Sequence, residues 1–163
     1  LAFGTGSHPT TKLCLETLEK YVTDRTEVLD IGCGSGILSI ACLLLGAKRA
    51  FGVDIDSLAV KTAKENAKEN GYTKPEFDAV VGNLSDKVSG KFNLVVANIV
   101  ADIIMEFNTQ VGEFLTDDGI YITGGIIENR EDEVLASFGA NGFEVIERSE
   151  DNGWLVFALR KAK

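Results

Sequence analysis

The chain has 163 residues, 45% of them hydrophobic, and a formal charge of −9 at pH 7; that size and composition suit one globular domain with a sizeable core. The acidic balance opposes nonspecific attraction to nucleic-acid phosphate, so no direct nucleic-acid partner is expected. No apolar run reaches the roughly 18 residues of a membrane span and the start lacks a signal-peptide layout, so a cytoplasmic protein without membrane contact is expected.

His8-Pro9-Thr10-Thr11 leads into Leu13, Leu15, Leu18, Tyr21 and Val22, the pattern of an amphipathic helix with proline near its first turn. Val28–Ile31 reads as strand one. After it come three alternating glycines and a predicted helix from Ile37 to Leu45, stopped by Gly46, before strand two at Ala50–Val53. Asp56-Ser57 caps the next helix, which ends at Asn70-Gly71; Phe77–Val81 is strand three and Phe92–Ala97 strand four. Ile99, Ile103, Ile104 and Phe107 mark a further helix. A turn at Asp117-Asp118-Gly119 then opens strand five, Gly119–Thr123, and Gly124-Gly125 reads as the turn that ends it. Glu128–Phe138 is predicted helical, and Phe143–Arg148 and Trp154–Leu159 are strands joined by the short Asp151-Asn152-Gly153 loop. Such a loop makes a hairpin, so the final strand is reversed. The alternation of strand and helix elsewhere implies a parallel sheet. The predicted fold is therefore α/β and Rossmann-like, with seven strands, six parallel and the last antiparallel.

The run Val28-Leu29-Asp30-Ile31-Gly32-Cys33-Gly34-Ser35-Gly36 carries the first chemical signal. Gly32, Gly34 and Gly36 can take positive φ and let a ligand approach the backbone, and the following helix start offers unpaired N–H groups and a positive dipole end. About twenty residues beyond Gly32, Asp54 ends strand two, where an acid can accept both hydroxyls of a ribose. Together these residues point to a nucleoside-containing cofactor. The dinucleotide fingerprint has glycine at the sixth position, where this chain has Ile37, and Asp30 would repel a pyrophosphate but welcome a cationic amino group. S-adenosylmethionine, with its amino group and its carboxylate, fits better than a nicotinamide dinucleotide. Cys14, Cys33 and Cys42 lack metal-site spacing and read as buried reduced thiols; no metal is expected.

Asp30-Ile31-Gly32-Cys33-Gly34-Ser35-Gly36 resembles motif I of class I S-adenosylmethionine-dependent methyltransferases. More narrowly, Ala2-Phe3-Gly4-Thr5-Gly6-Ser7-His8-Pro9-Thr10-Thr11, Val96-Ala97-Asn98-Ile99 and the hairpin containing Trp154 resemble the PrmA family, whose members methylate amino groups of the eleventh protein of the large ribosomal subunit. The resemblance covers nearly the whole chain. It implies that residues 1–163 form the methyltransferase domain, that the family's N-terminal substrate-recognition domain is absent from this sequence, and that Thr11, Gly32, Asp54 and Asn98 contact the cofactor. It also favours the Gly4–Thr11 segment as a lid, with Phe3 covering the adenosine or sulfonium. Leu1 in place of methionine agrees with a chain excised from a longer protein.

Asn83, after strand three, can reach the adenine, although a plain loop serves equally. His8 before Pro9 reads as a capping residue. Asn98, at the end of strand four, lies nearest the chemistry, because Ala97-Asn98-Ile99 resembles a shortened Asn-Pro-Pro-Tyr motif of amino-group methyltransferases. A lysine amine with pKa near 10.4 must lose its proton to attack a methyl group, at about 4–5 kcal/mol at pH 7. A carboxylate beside it would favour the ammonium, whereas an amide can orient the nitrogen without fixing its charge. The alternatives are an amino-group methyltransferase acting on a nucleobase or glutamine amide, a nucleotide-dependent oxidoreductase, and a non-catalytic cofactor-binding module.

Overall fold

A computed structural model describes residues 8–163. In chain order the elements are α1 (Pro9–Tyr21), β1 (Glu27–Ile31), α2 (Ile37–Leu44), β2 (Arg49–Asp54), α3 (Ser57–Glu69), β3 (Phe77–Val81), β4 (Phe92–Asn98), α4 (Ala101–Asn108), β5 (Leu115–Ile127), α5 (Glu131–Ala140), β6 (Phe143–Asp151) and β7 (Trp154–Lys161). The strands form one sheet in the order β3-β2-β1-β4-β5-β7-β6. β7 lies antiparallel to both β5 and β6, and the remaining pairings are parallel. The reversed last strand expected from the Asp151-Asn152-Gly153 loop is thus present, and the other six share one direction.

Alternation along the central strands builds two cores. Leu94 and Val96 of β4 face Cys14, Leu18, Leu38 and Val60 on α1, α2 and α3. Val95 and Ala97 face the other way, toward Ile104, Phe107, Val134 and Phe138 on α4 and α5. A parallel strand buried on both sides needs such a continuous apolar run. Tyr121 sits at the centre of the second core, edge-on to Phe107 and Phe138 and tilted against Phe143, and its hydroxyl donates to Asn108 Oδ1 at 2.8 Å.

Three expected boundaries are corrected. Asp117-Asp118-Gly119 is not a turn before a short strand: β5 runs through it from Leu115 to Ile127. The excess length is taken up in a bulge, since Phe92 pairs with Leu115 but Leu94 with Ile120. Gly124-Gly125 likewise lies inside β5, where the register against β7 shifts between Thr123 and Ile126 and Gly125 takes φ 76°. The predicted helix at Glu128–Phe138 divides into a 3-10 turn, Glu128–Arg130, and α5.

Turns and caps follow from local chemistry. His8 caps α1, its Nδ1 accepting the Thr10 N–H at 3.2 Å, and its ring meets Trp154 edge-on at 4.9 Å. Asp56 caps α3 by accepting the Leu58 N–H. Val100, in extended conformation at the N-cap of α4, delays that helix to Ala101. Asn98 to Val100 are thereby left as a wall segment at the end of β4. No helix among the described residues is long and apolar enough to cross a membrane.

Candidate cofactor site

Strand order reverses between β1 and β4, and in open α/β sheets ligands bind in the crevice outside the carboxyl ends at such a point. Here it holds a cleft of about 500 Å³. One wall is the glycine turn with Asp30 and Cys33; the second is Val53 to Asp56; the third comprises Gly82 to Leu84 and Asn98 to Val100, with Ile103 beyond. Most of the surface is apolar, contributed by Ile31, Ile37, Leu38, Ile55, Leu84, Ile99 and Ile103. The polar groups are few and placed.

The turn is shaped by Val53, whose carbonyl accepts the N–H groups of both Gly32 and Cys33 at 2.8 and 3.0 Å. Gly32, Gly34 and Gly36 all take positive φ, of 70°, 53° and 83°. At Gly32 a Cβ would stand 2.5 Å from Ile99 Cγ2, so the turn and the β4 wall meet only because glycine is there. Gly36 lies outside the cleft wall and serves packing, with Ala63 Cβ of α3 3.1 Å from where its Cβ would be. The sequence signal for the third glycine was right about backbone conformation, but its closest neighbour is a helix.

Asp54 is fixed by the turn it faces: Oδ2 accepts the Gly34 N–H and Oδ1 the Asp56 N–H, each at 2.9 Å. A carboxylate has about four acceptor sites, so both oxygens keep capacity for a ligand diol. Asp30 is 2% exposed, and its Oδ2 accepts the Ser39 hydroxyl at 2.6 Å. Burial pushes its carboxyl up to about 7, against the lowering effect of the Ser39 hydroxyl and backbone N–H. Asp30 thus binds the first turn of α2 while contributing to the cleft wall. A cationic group beside it would relieve the cost of its buried charge. Burial also pushes the Cys14 thiol up to about 12 and that of Cys33 further. All three cysteines are free and buried.

Asn98, 8% exposed, lies at the end of β4 opposite Gly124 and in the cleft wall. Its Oδ1 accepts the Thr10 hydroxyl at 2.9 Å, so the carbonyl expected to face an acceptor amine is already engaged on one side. Asn83 is in the wall, and its backbone N–H donates to Asp86 Oδ1. Thr11 is fully buried in α1 and is not among the residues forming the cleft described here. Phe3, Gly4 and Gly6 lie outside the described residues. Arg130 pairs with Asp102 and Glu133, and Glu128 bonds Glu150, which raises the Glu128 pKa. Among the described residues no group of three or more acidic, cysteine or histidine side chains could hold a metal.

Sequence reasoning missed Thr10, Ser39 and the apolar lips Ile55 and Ile103. The adjacent Thr10-Thr11 pair in a short first turn was a usable signal; Ser39, on a helix interior, offered none.

Residues 1–162 match the family model described as ribosomal protein L11 methyltransferase (PrmA). A Dictyoglomus thermophilum protein named ribosomal protein L11 methyltransferase is 47% identical over 156 residues, covering 96% of this chain and 51% of its own length. One of the same name from Caldicellulosiruptor bescii is 47% identical over 161 residues, covering 99% and 52%. The chain therefore spans about half the length of these relatives. A crystal structure of ribosomal protein L11 methylase from Lactobacillus delbrueckii subsp. bulgaricus superposes with a TM-score of 0.92 at 32% identity, over 97% of this chain and 81% of that one. Matched from its glycine turn to its final hairpin, the chain belongs to the ribosomal protein L11 methyltransferase family.

Proposed function

We propose that the chain is the methyltransferase domain of a protein N-methyltransferase that uses S-adenosylmethionine to methylate lysine and N-terminal amines of ribosomal protein L11. The observation that carries the reading is the cleft at the β1–β4 reversal. It combines an anchored ribose acid, a buried carboxyl suited to a cation, and an amide at the end of β4. The family match supports the substrate. A cytoplasmic setting, without membrane or nucleic-acid partners, goes with that substrate.

When bound, S-adenosylmethionine supplies a methyl group made electrophilic by its sulfonium. The chain's residues do the rest. Asp54 holds the ribose through acceptor sites left over from Gly34 and Asp56. Asp30 would hold the amino group, whose positive charge favours the carboxylate form. Gly32 and Gly34 admit the ligand to backbone contact. Ile31 and Leu84 would keep water from the reacting atoms, and Asn98 would orient the acceptor nitrogen against the methyl. Alignment in a dry site supplies most of the acceleration, because the step needs little covalent help. An N-terminal amine, with pKa near 7.7–8.0, costs only about 1 kcal/mol to deprotonate at pH 7, against about 4–5 for lysine.

Calorimetry with S-adenosylmethionine, S-adenosylhomocysteine and NAD tests the cofactor. Binding of the first two is expected, and tight NAD binding alone would sink the reading. Mass spectrometry of ribosomal protein L11 after incubation with enzyme and cofactor tests the acceptor: an unchanged mass, with the cofactor bound, would remove the substrate assignment.

A further inference from the structure

We infer that Thr10 is a positioning residue for Asn98: its hydroxyl joins the Gly125 N–H to Asn98 Oδ1 and so sets which end of the Asn98 amide meets the cleft. Thr10 is fully buried in the first turn of α1. Its Oγ1 accepts the Gly125 N–H at 2.6 Å and donates to Asn98 Oδ1 at 2.9 Å. An N–H can only donate, so the threonine oxygen is the acceptor on that side; its one proton has the asparagine carbonyl as its oxygen acceptor, with the Cys14 thiol the other side-chain partner of the hydroxyl. Two bonds in series through one hydroxyl polarise each other.

The surrounding backbone is shaped for this relay. The β5–β7 register breaks between Thr123 and Ile126, and within that break the Gly125 N–H turns to Thr10. At Gly124 a Cβ would stand 2.7 Å from Asn98 Oδ1 and 2.9 Å from Thr10 Oγ1, so only glycine lets the two side chains meet. At Gly125 a Cβ would stand 2.5 Å from the Ile99 carbonyl oxygen, which fixes the segment just after Asn98. The Asn98 amide nitrogen makes no hydrogen bond to another described residue, while Asn98 forms part of the cleft wall. An asparagine amide has a broad, roughly two-fold terminal torsion, and without a fixed donor on Oδ1 either end can face the ligand. The Thr10 proton removes that freedom.

The functional consequence rests on the methyltransferase reading, but the relay itself does not. Four variants separate them: Thr10→Val, Thr10→Ser, Asn98→Ala and the Thr10→Val/Asn98→Ala pair. Thr10→Val is expected to weaken S-adenosylmethionine binding or slow methyl transfer at least fivefold. Thr10→Ser should stay within twofold of the parent, and the double variant within twofold of Asn98→Ala. A Thr10→Val effect of equal size in both backgrounds, or a Thr10→Ser loss as large as that of Thr10→Val, overturns the inference.

Nuclear magnetic resonance supplies a readout independent of cofactor and turnover. In the parent protein the Thr10 hydroxyl proton should be protected from exchange and show a cross-relaxation peak to the Gly125 amide. The Asn98 side-chain amide pair should shift in Thr10→Val and hold in Thr10→Ser. A rapidly exchanging Thr10 hydroxyl overturns the relay even where the valine variant fails to fold. Parent-like binding and turnover in Asn98→Ala would instead remove the role assigned to Asn98, with the resonance result still deciding the relay.

Discussion

Asp30→Asn isolates the cost of keeping a carboxyl buried under the glycine turn. The side chain is 2% exposed and its pKa is pushed from the ordinary 3.8 to about 7 by desolvation, with the Ser39 hydroxyl and backbone N–H acting the other way. A raised carboxyl pKa means that the folded state holds the proton more tightly than the unfolded one. The stability from this group is therefore complete below about pH 4 and is lost as pH rises to about 7. At 1.36 kcal/mol per unit, a rise of about three units corresponds to about 4 kcal/mol. Asparagine has nearly the same shape, can accept from Ser39 and does not titrate. Urea unfolding of both proteins across this range should show the parent losing ground to Asp30→Asn by up to about 4 kcal/mol between pH 4 and pH 7.5. A gap that stays constant within about 1 kcal/mol would refute the reasoning, because it would place the Asp30 titration at its unfolded value.

The same residue predicts that S-adenosylmethionine binding to the parent tightens as pH rises through about 7, since the carboxylate form suits a cationic amino group; calorimetry should find a flat profile in Asp30→Asn. Asp54→Ala removes the proposed ribose acceptors and the anchor for the Gly34 and Asp56 N–H groups. At roughly 1.5–3 kcal/mol per charged hydrogen bond, affinity should fall at least tenfold, and unchanged calorimetric binding would exclude the ribose role. Gly125→Ala forces a Cβ to 2.5 Å from the Ile99 carbonyl at positive φ and should cost more than Gly34→Ala, where no atom lies within 4 Å; thermal melts would compare them. Tyr121→Phe leaves the buried Asn108 Oδ1 without its hydroxyl donor and should destabilise by about 1–3 kcal/mol in urea, with cofactor affinity unchanged.

What could be read from the residues followed from short-range rules. Apolar runs, the Asp56 cap and the Asn152-Gly153 loop placed most elements, and the loop alone identified the reversed strand. The early start of β5 escaped because Leu115 pairs with Phe92 ahead of Asp117-Asp118-Gly119, and the ladder carries that segment as an unpaired bulge before Ile120. At the site, Asp54 and the glycines announced themselves through spacing. The position of Asp30 beside the glycine turn is legible, but its bond to Ser39 is not, because nothing in the order of residues tells which helix-interior serine turns inward. The Thr10 relay depends on contacts between residues 88 and 115 positions apart, beyond any local pattern.

The last strand has a consequence for how the molecule is completed. Among the described residues β6 pairs with β7 alone, and β7 sits between it and β5, so Trp154–Lys161 works as a keystone for the far side of the sheet. Without β7, the β5 edge that pairs with it would stand open. That side of the sheet therefore closes only when β7 is in place, through pairings between Tyr121–Ile127 and Trp154–Leu159 that are far apart in the chain. Truncation before Trp154 should leave a species that retains the glycine turn but associates through β5, a failure that begins far from the cofactor and reaches it through Gly124 and Gly125.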